Sequence, residues 1–229
     1  MSDAVLFVAF PYAAVILAVL GGVYRYFNDR FSYSSFSSQL LENRTLFWGS
    51  VPWHYGVIAI LTTHVLAFLF PTGWATLLAA PARLYFLEVT GLALALCSLA
   101  GLAVLTGRRL ANARAFTVTS ALDWVLLTAL LGQVGLGFWV SLFYRWGSEW
   151  YLHTAVPWLI SLLLLNPQVE YVNALPLPVR LHMLGGFVII GLFPFTRLVH
   201  LATVPIPYLW RPYQVVIWNR RHSRGKLAG

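Results

Sequence analysis

Apolar residues run through this chain in long blocks, and polar residues fall in short clusters between them. A membrane-crossing helix needs about 20 mostly apolar residues. Five stretches meet that length: about Ala4–Tyr24, Leu46–Phe70, Leu84–Thr106, Thr117–Phe143 and Val179–Thr203. Backbone amides in hydrocarbon must be bonded within the protein, and Leu, Ala and Gly richness suits close-packed helices better than alternating barrel strands. The pattern predicts an all-α integral membrane protein, a single membrane domain of five transmembrane helices in a bundle. No basic leader or small-residue cleavage site accompanies the first stretch, so it is expected to remain as a span.

A sixth apolar run, WLISLLLL at 158–165, is short and lies between Pro157 and Pro167. We read Trp150–Leu165 as a helix or re-entrant piece at one membrane surface. Charge agrees with this count. With five spans, twelve of the fifteen Lys and Arg residues, from Arg25 to Lys226, fall on one side, and only Arg83, Arg145 and Arg180 fall on the other. The positive-inside rule places the twelve in the cytoplasm, with the N-terminus outside. A sixth span would send the basic tail, 204–229, outward. That tail carries Pro205, Pro207 and Pro212 and reads as a lipid-facing cytoplasmic segment or a docking arm for a soluble partner. Trp146, Trp150 and Trp210 fit an interfacial aromatic belt.

Composition narrows the class. The chain has 229 residues, 59% of them hydrophobic and 10% charged, with a mean hydropathy of +0.74; a soluble domain is nearer one quarter charged. The formal charge of +8 reflects cytoplasmic loops and tail, so no nucleic-acid partner is expected. The single cysteine, Cys97, excludes an internal disulfide, a four-cysteine zinc site and a cysteine-ligated iron–sulfur cluster.

Candidate chemistry then rests on four histidines. His54 and His64 lie in the second stretch, and His182 and His200 in the fifth. An ionisable side chain inside a membrane is a functional hypothesis by default. Antiparallel spans would pair His54 with His200 toward the cytoplasm and His64 with His182 toward the outside. Helical geometry gives a rise of ~15 Å between the first two and ~27 Å between the second two, so tilts or kinks must absorb the mismatch. It also sets His182 and His200, 18 residues apart, on one helix face, and His54 and His64 about 80° apart. Two readings are open: polar residues bonding neighbouring helices, or axial ligands to two haems. Matched pairs at two depths favour the haems. Zinc would have only two ligands at each level. His153 and His222 fit neither pair.

Weaker candidates surround these. Arg197 shares a helix face with His200 and could meet a haem propionate; Arg108 and Arg109 could serve likewise or simply anchor the third span. Asp123 reads as the N-terminal carboxylate of the fourth helix. Arg83, with Glu88 nearby, is a candidate for a quinol headgroup beside the outer histidine pair, and the two also read as an interfacial pair.

The segment RLHMLGGFVIIGLFPFTRLVHLATVPIPYLWRPYQVV, Arg180 to Val216, resembles the final span of the gamma, or cytochrome b, subunit of membrane-bound respiratory nitrate reductase. SSQLL at 37–41, the two histidines ten apart in the second span, and the pairs Pro11-Tyr12 and Arg25-Tyr26 are similar too. The resemblance covers about Phe10 to Arg221. It implies two b haems in a bacterial cytoplasmic membrane, the inner held by His54 and His200, the outer by His64 and His182. It further implies a quinol (menaquinol or ubiquinol) oxidised near the outer haem. Electrons would pass to an iron–sulfur beta subunit and a molybdenum-cofactor alpha subunit on the cytoplasmic side. Arg83 stands where the family is expected to carry lysine, Thr63 where glycine is expected before the histidine, and 147–177 diverges. Other quinone-linked dihaem anchors, of formate dehydrogenase or hydrogenase type, are the nearest alternative. A non-haem transporter with a histidine proton relay and a purely structural anchor are further ones.

Overall fold

The computed structural model describes residues 2–29 and 44–203. The described residues are helical with no strand, and five helices are long and apolar enough to cross a membrane. We label them α1 (Val5–Asn28), α2 (Arg44–Leu69), α3 (Pro81–Ala111), α4 (Ala121–Phe143) and α5 (Leu177–Phe195). The SSQLL segment, His222 and the basic tail lie outside the described residues.

Neighbours follow the order α1–α5–α4–α3–α2, each packed on the next. The closest approach is between α2 and α3. A Cβ on Gly101 would lie 2.6 Å from the backbone nitrogen of Trp53 and 2.7 Å from the carbonyl of Gly49. Such overpacking costs about 1–3 kcal/mol, so glycine here lets two backbones touch, as membrane interfaces require. The span that carries His54 and His64, α2, and the span that carries His182, α5, do not pack on each other as these neighbours do. We call the end of the bundle where α1 begins the near end, and the opposite end the far end.

At the near end, Arg180 of α5 pairs with Asp3 and lies 4.9 Å over the Phe7 ring. The opening turns of α1, Val5–Ala9, form a π-helix. This shifts the hydrogen-bond ladder, and the Phe7 carbonyl accepts from Trp158 Nε1 at 3.1 Å. Phe7, Trp158, Leu162 and Val172 make a buried core there.

The sixth apolar run forms no helix long enough to cross a membrane. Residues 147–165 form two short helices, Gly147–His153 and Ala155–Leu163, interrupted at Thr154. The second closes with a Schellman motif: Leu165 is left-handed (φ 56°), Asn166 N–H donates to Ser161 and Leu165 N–H to Leu162. The segment is more than a surface piece, because Trp158 is only 1% exposed and the second helix belongs to the near-end core. A further short helix, Pro71–Leu78, was not expected from the sequence.

The fifth span corrects the sequence reading. Its α-helix ends at Leu192, Phe193–Phe195 is 3-10, Thr196 is extended (ψ −178°), and Arg197–Thr203 is a second 3-10 segment. Pro194 cannot donate a backbone hydrogen bond, which explains the break. The five-whole-turns argument for a shared face of His182 and His200 therefore fails, because no continuous α-helix joins them. By contrast α2 remains continuous through Pro52, Thr62 and Thr63.

Candidate functional site: two histidine pairs

At the far end, the break in α5 frees backbone carbonyls inside the bundle, and freed carbonyls need donors. Arg25 of α1 donates through Nη1 to the carbonyls of Pro194 (2.6 Å) and Thr196 (3.2 Å). Arg197 forms a two-pronged ion pair with Asp123 at the start of α4, Nε to Oδ1 at 2.6 Å and Nη2 to Oδ2 at 3.0 Å. Asp123 also completes a capping box with Ser120, as its sequence position predicted. These contacts hold the redirected 3-10 segment, and His200 is thereby delivered to His54.

The rings of His54 and His200 have centroids 6.3 Å apart, with planes inclined by 70°. An imidazole nitrogen binds a transition metal at about 2.0 Å, so two rings on opposite sides of one iron have centroids about 6 Å apart. The separation fits an axial pair.

The hydrogen bonds of the rings test the fit further. His54 Nδ1 lies 2.8 Å from the Ser50 carbonyl, with Ser50 Oγ at 3.0 Å. His64 Nδ1 lies 2.8 Å from the Ile60 carbonyl, His182 Nδ1 3.1 Å from the Gln133 carbonyl, and His200 Nδ1 2.5 Å from the Arg197 carbonyl. A carbonyl only accepts, so each Nδ1 carries the proton and donates. In the neutral imidazole this directs the lone pair to Nε2, the tautomer a metal-binding histidine needs, with the backbone as its outer-shell partner. All four histidines share this arrangement. Among the described residues no three His, Cys, Asp or Glu side chains group to hold a metal ion; an axial pair asks for two.

At the near end, His182 of α5 lies against α4, its Nδ1 facing the Gln133 carbonyl at 3.1 Å. Gly137 of α4 makes room for the His182 ring, since a Cβ there would lie 2.8 Å from Cε1. Tyr151, on the short helix after α4, meets His64 edge-on at 5.4 Å, and its hydroxyl donates to the His64 carbonyl at 3.4 Å. Burial pushes that phenol above the ordinary tyrosine range, so it stays protonated as a donor.

The weaker candidates resolve differently. Arg83 donates from Nε to the Leu77 carbonyl (2.7 Å) and from Nη2 to the Thr76 carbonyl (3.1 Å), closing the last turn of the helix Pro71–Leu78. Glu88 accepts from the Ser148 backbone N–H at 2.8 Å and so anchors the helix that carries Tyr151. Arg109 donates to Thr119 Oγ1, and Arg108 is buried. His153 lines a cavity with Glu149, Trp146 and Leu84 at the near end, and neither Arg83 nor any of the four candidate histidines lines it. Sequence reasoning missed Gln133, Gly137 and Tyr151. The spacing of Gln133 and Gly137, four apart on α4, was a signal for one helix face, but not for which histidine that face meets.

Residues 3–219 match the family described as the nitrate reductase gamma subunit. The nitrate reductase gamma chain of Bacillus subtilis is 32% identical over 225 residues, which cover 96% of this chain and all of that one. The respiratory nitrate reductase 2 gamma chain of Escherichia coli is 32% identical over 212 residues, 90% of this chain and 93% of that one. A nitrate reductase-like protein, NarX, of Mycobacterium tuberculosis is 30% identical over 223 residues but is matched over only a third of its length. With an all-helical bundle of five candidate spans matched almost from end to end, the chain belongs to the nitrate reductase gamma subunit family.

Proposed function

We propose that this chain is the dihaem cytochrome b subunit of a membrane-bound nitrate reductase. It oxidises quinol near the outer membrane face and passes electrons inward to iron–sulfur and molybdenum subunits, which it anchors to the membrane. His54 and His200 would hold the cytoplasmic-side haem, and His64 and His182 the outer one. A haem with two imidazole ligands has no open position for oxygen and supplies one-electron transfer. The observation that carries the reading is the common state of the four histidines: every Nδ1 donates to a backbone carbonyl and leaves Nε2 to serve as a ligand atom.

The protein's own residues do the holding. Backbone carbonyls of Ser50, Ile60, Gln133 and Arg197 fix the ring tautomers. Gly137 leaves space for the outer ring, and Arg25 and Asp123 fix the segment that bears His200. A propionate reaching Arg197 would share that cation with Asp123. Arg83 contributes to the quinol side by holding the helix Pro71–Leu78. The near end faces outside and the far end the cytoplasm, on the asymmetry of basic residues.

Haem extracted from the purified complex should amount to two per gamma chain, with a reduced-minus-oxidised spectrum of b type. A transporter or purely structural anchor would give none. Orientation is tested separately: reporters fused after Gly229 and after Asn166 should read cytoplasmic and outside, and the same side for both would overturn it.

A further inference from the structure

Asp123 has two sets of contacts. The first is the helix cap: Oδ2 accepts from the Ser120 backbone N–H at 3.0 Å, and the Asp123 N–H donates to Ser120 Oγ at 3.1 Å. The second is the fork on Arg197, 74 residues away in sequence. A cap needs only the first. The carboxylate is 7% exposed and the guanidinium 30%, so the pair is sheltered at the bundle edge, where a charge-assisted, two-pronged bond is strong and directional.

What the fork holds is informative. Arg197 opens the 3-10 segment that follows the extended Thr196, and such a segment has poorer hydrogen-bond geometry than an α-helix. The carbonyl of this same Arg197 accepts from His200 Nδ1. Position and tautomer of the His200 ring are therefore referred, through one residue, to a carboxylate on α4. Arg25 braces the carbonyls of Pro194 and Thr196, which precede Arg197.

We propose that Asp123 is a positioning residue for the cytoplasmic-side haem: its fork on Arg197 fixes the carbonyl that orients His200 toward His54. This rests on the haem reading above.

The test uses the whole complex and reads the haems themselves, by low-temperature EPR and by redox titration, with the outer haem as internal reference. Asp123→Asn keeps a cap acceptor and removes the charge. It should displace the g-value and midpoint potential of the inner haem, and weaken its retention by up to about ten-fold, the lower end of what outright loss of an outer-shell partner costs. The outer signal should not move. Ser120→Ala removes the cap's hydroxyl and leaves the fork, so both signals should stay at wild type. An inner signal unchanged in Asp123→Asn, or an equal shift in Ser120→Ala, overturns the proposal in favour of a plain helix cap. Should Asp123→Asn lose both haems, Arg197→Lys decides. It keeps the cation and loses the fork; an inner shift alone supports the proposal, and either no shift or loss of both haems overturns it. A wild-type complex lacking b-type absorbance removes the underlying reading, and the proposal with it, before any substitution is made.

Discussion

His54→Ala and His200→Ala complexes are each expected to keep one b haem and lose the other, and the same one in both. His64→Ala and His182→Ala should keep the haem that the first pair loses. The expectation follows from geometry at the far end, where the two rings stand 6.3 Å apart. A low-spin bis-imidazole site with one ligand removed is not a weaker copy of itself, because the iron gains an open position. If each pair holds one haem as proposed, haem per chain should fall from two to about one in every single variant. A double variant within a pair should lose no more than either single one, whereas a double variant across pairs should lose both haems. That grouping is what the pairing predicts and what four packing histidines would not produce. Full haem content in all four single variants would sink the assignment. Loss grouped as His54 with His64 would instead put the ligands of each haem on one span.

Much of this architecture is legible in the sequence. Length and apolarity alone give five spans, because hydrocarbon permits only closed hydrogen-bonding structures. The family resemblance is equally visible in the Arg180–Val216 segment. The features that escape are those where one residue's local preference is overruled from a distance. Leu165 does not advertise a left-handed conformation, yet it terminates the second short helix and keeps that apolar run from lengthening. Pro194 did signal a break, but hydropathy read straight across it. A shared face for His182 and His200 requires one continuous helix, and the helix stops at Leu192. Asp123 is legible in the sequence as a carboxylate at the N-terminus of α4 and as nothing more. Its second partner comes from a span remote in sequence, and no local pattern encodes that meeting. Arg83 was chosen for its charge and level in the membrane, whereas its donors go to two carbonyls of a helix the sequence reading did not include.

Quinol-driven nitrate reduction should fall to background in His64→Ala and His182→Ala complexes, while nitrate reduction from a small artificial donor that feeds the soluble subunits directly should continue near the wild-type rate. The reason is separation of sites. In the proposed arrangement the molybdenum cofactor belongs to a separate soluble subunit and the two candidate histidine pairs lie at opposite ends of the bundle, so the outer pair should matter only to electrons that enter from quinol. Under the proposed function, oxidation at the outer face would leave the two quinol protons outside while the electrons go inward, so charge separation would follow from the topology without a proton channel. The same split should appear, less completely, in Arg83→Ala. Two donors to the Thr76 and Leu77 carbonyls are lost there, the end of the helix Pro71–Leu78 loosens, and both haems remain. A wild-type quinol rate in Arg83→Ala would remove that residue from the quinol side without touching the ligands. The decisive result lies with the histidine variants. If complexes shown to lack the outer haem still oxidise quinol at the wild-type rate, electrons enter elsewhere. If they also lose activity with the artificial donor, the substitution has damaged assembly with the soluble subunits, and His64 and His182 would have to be read as packing residues of the bundle.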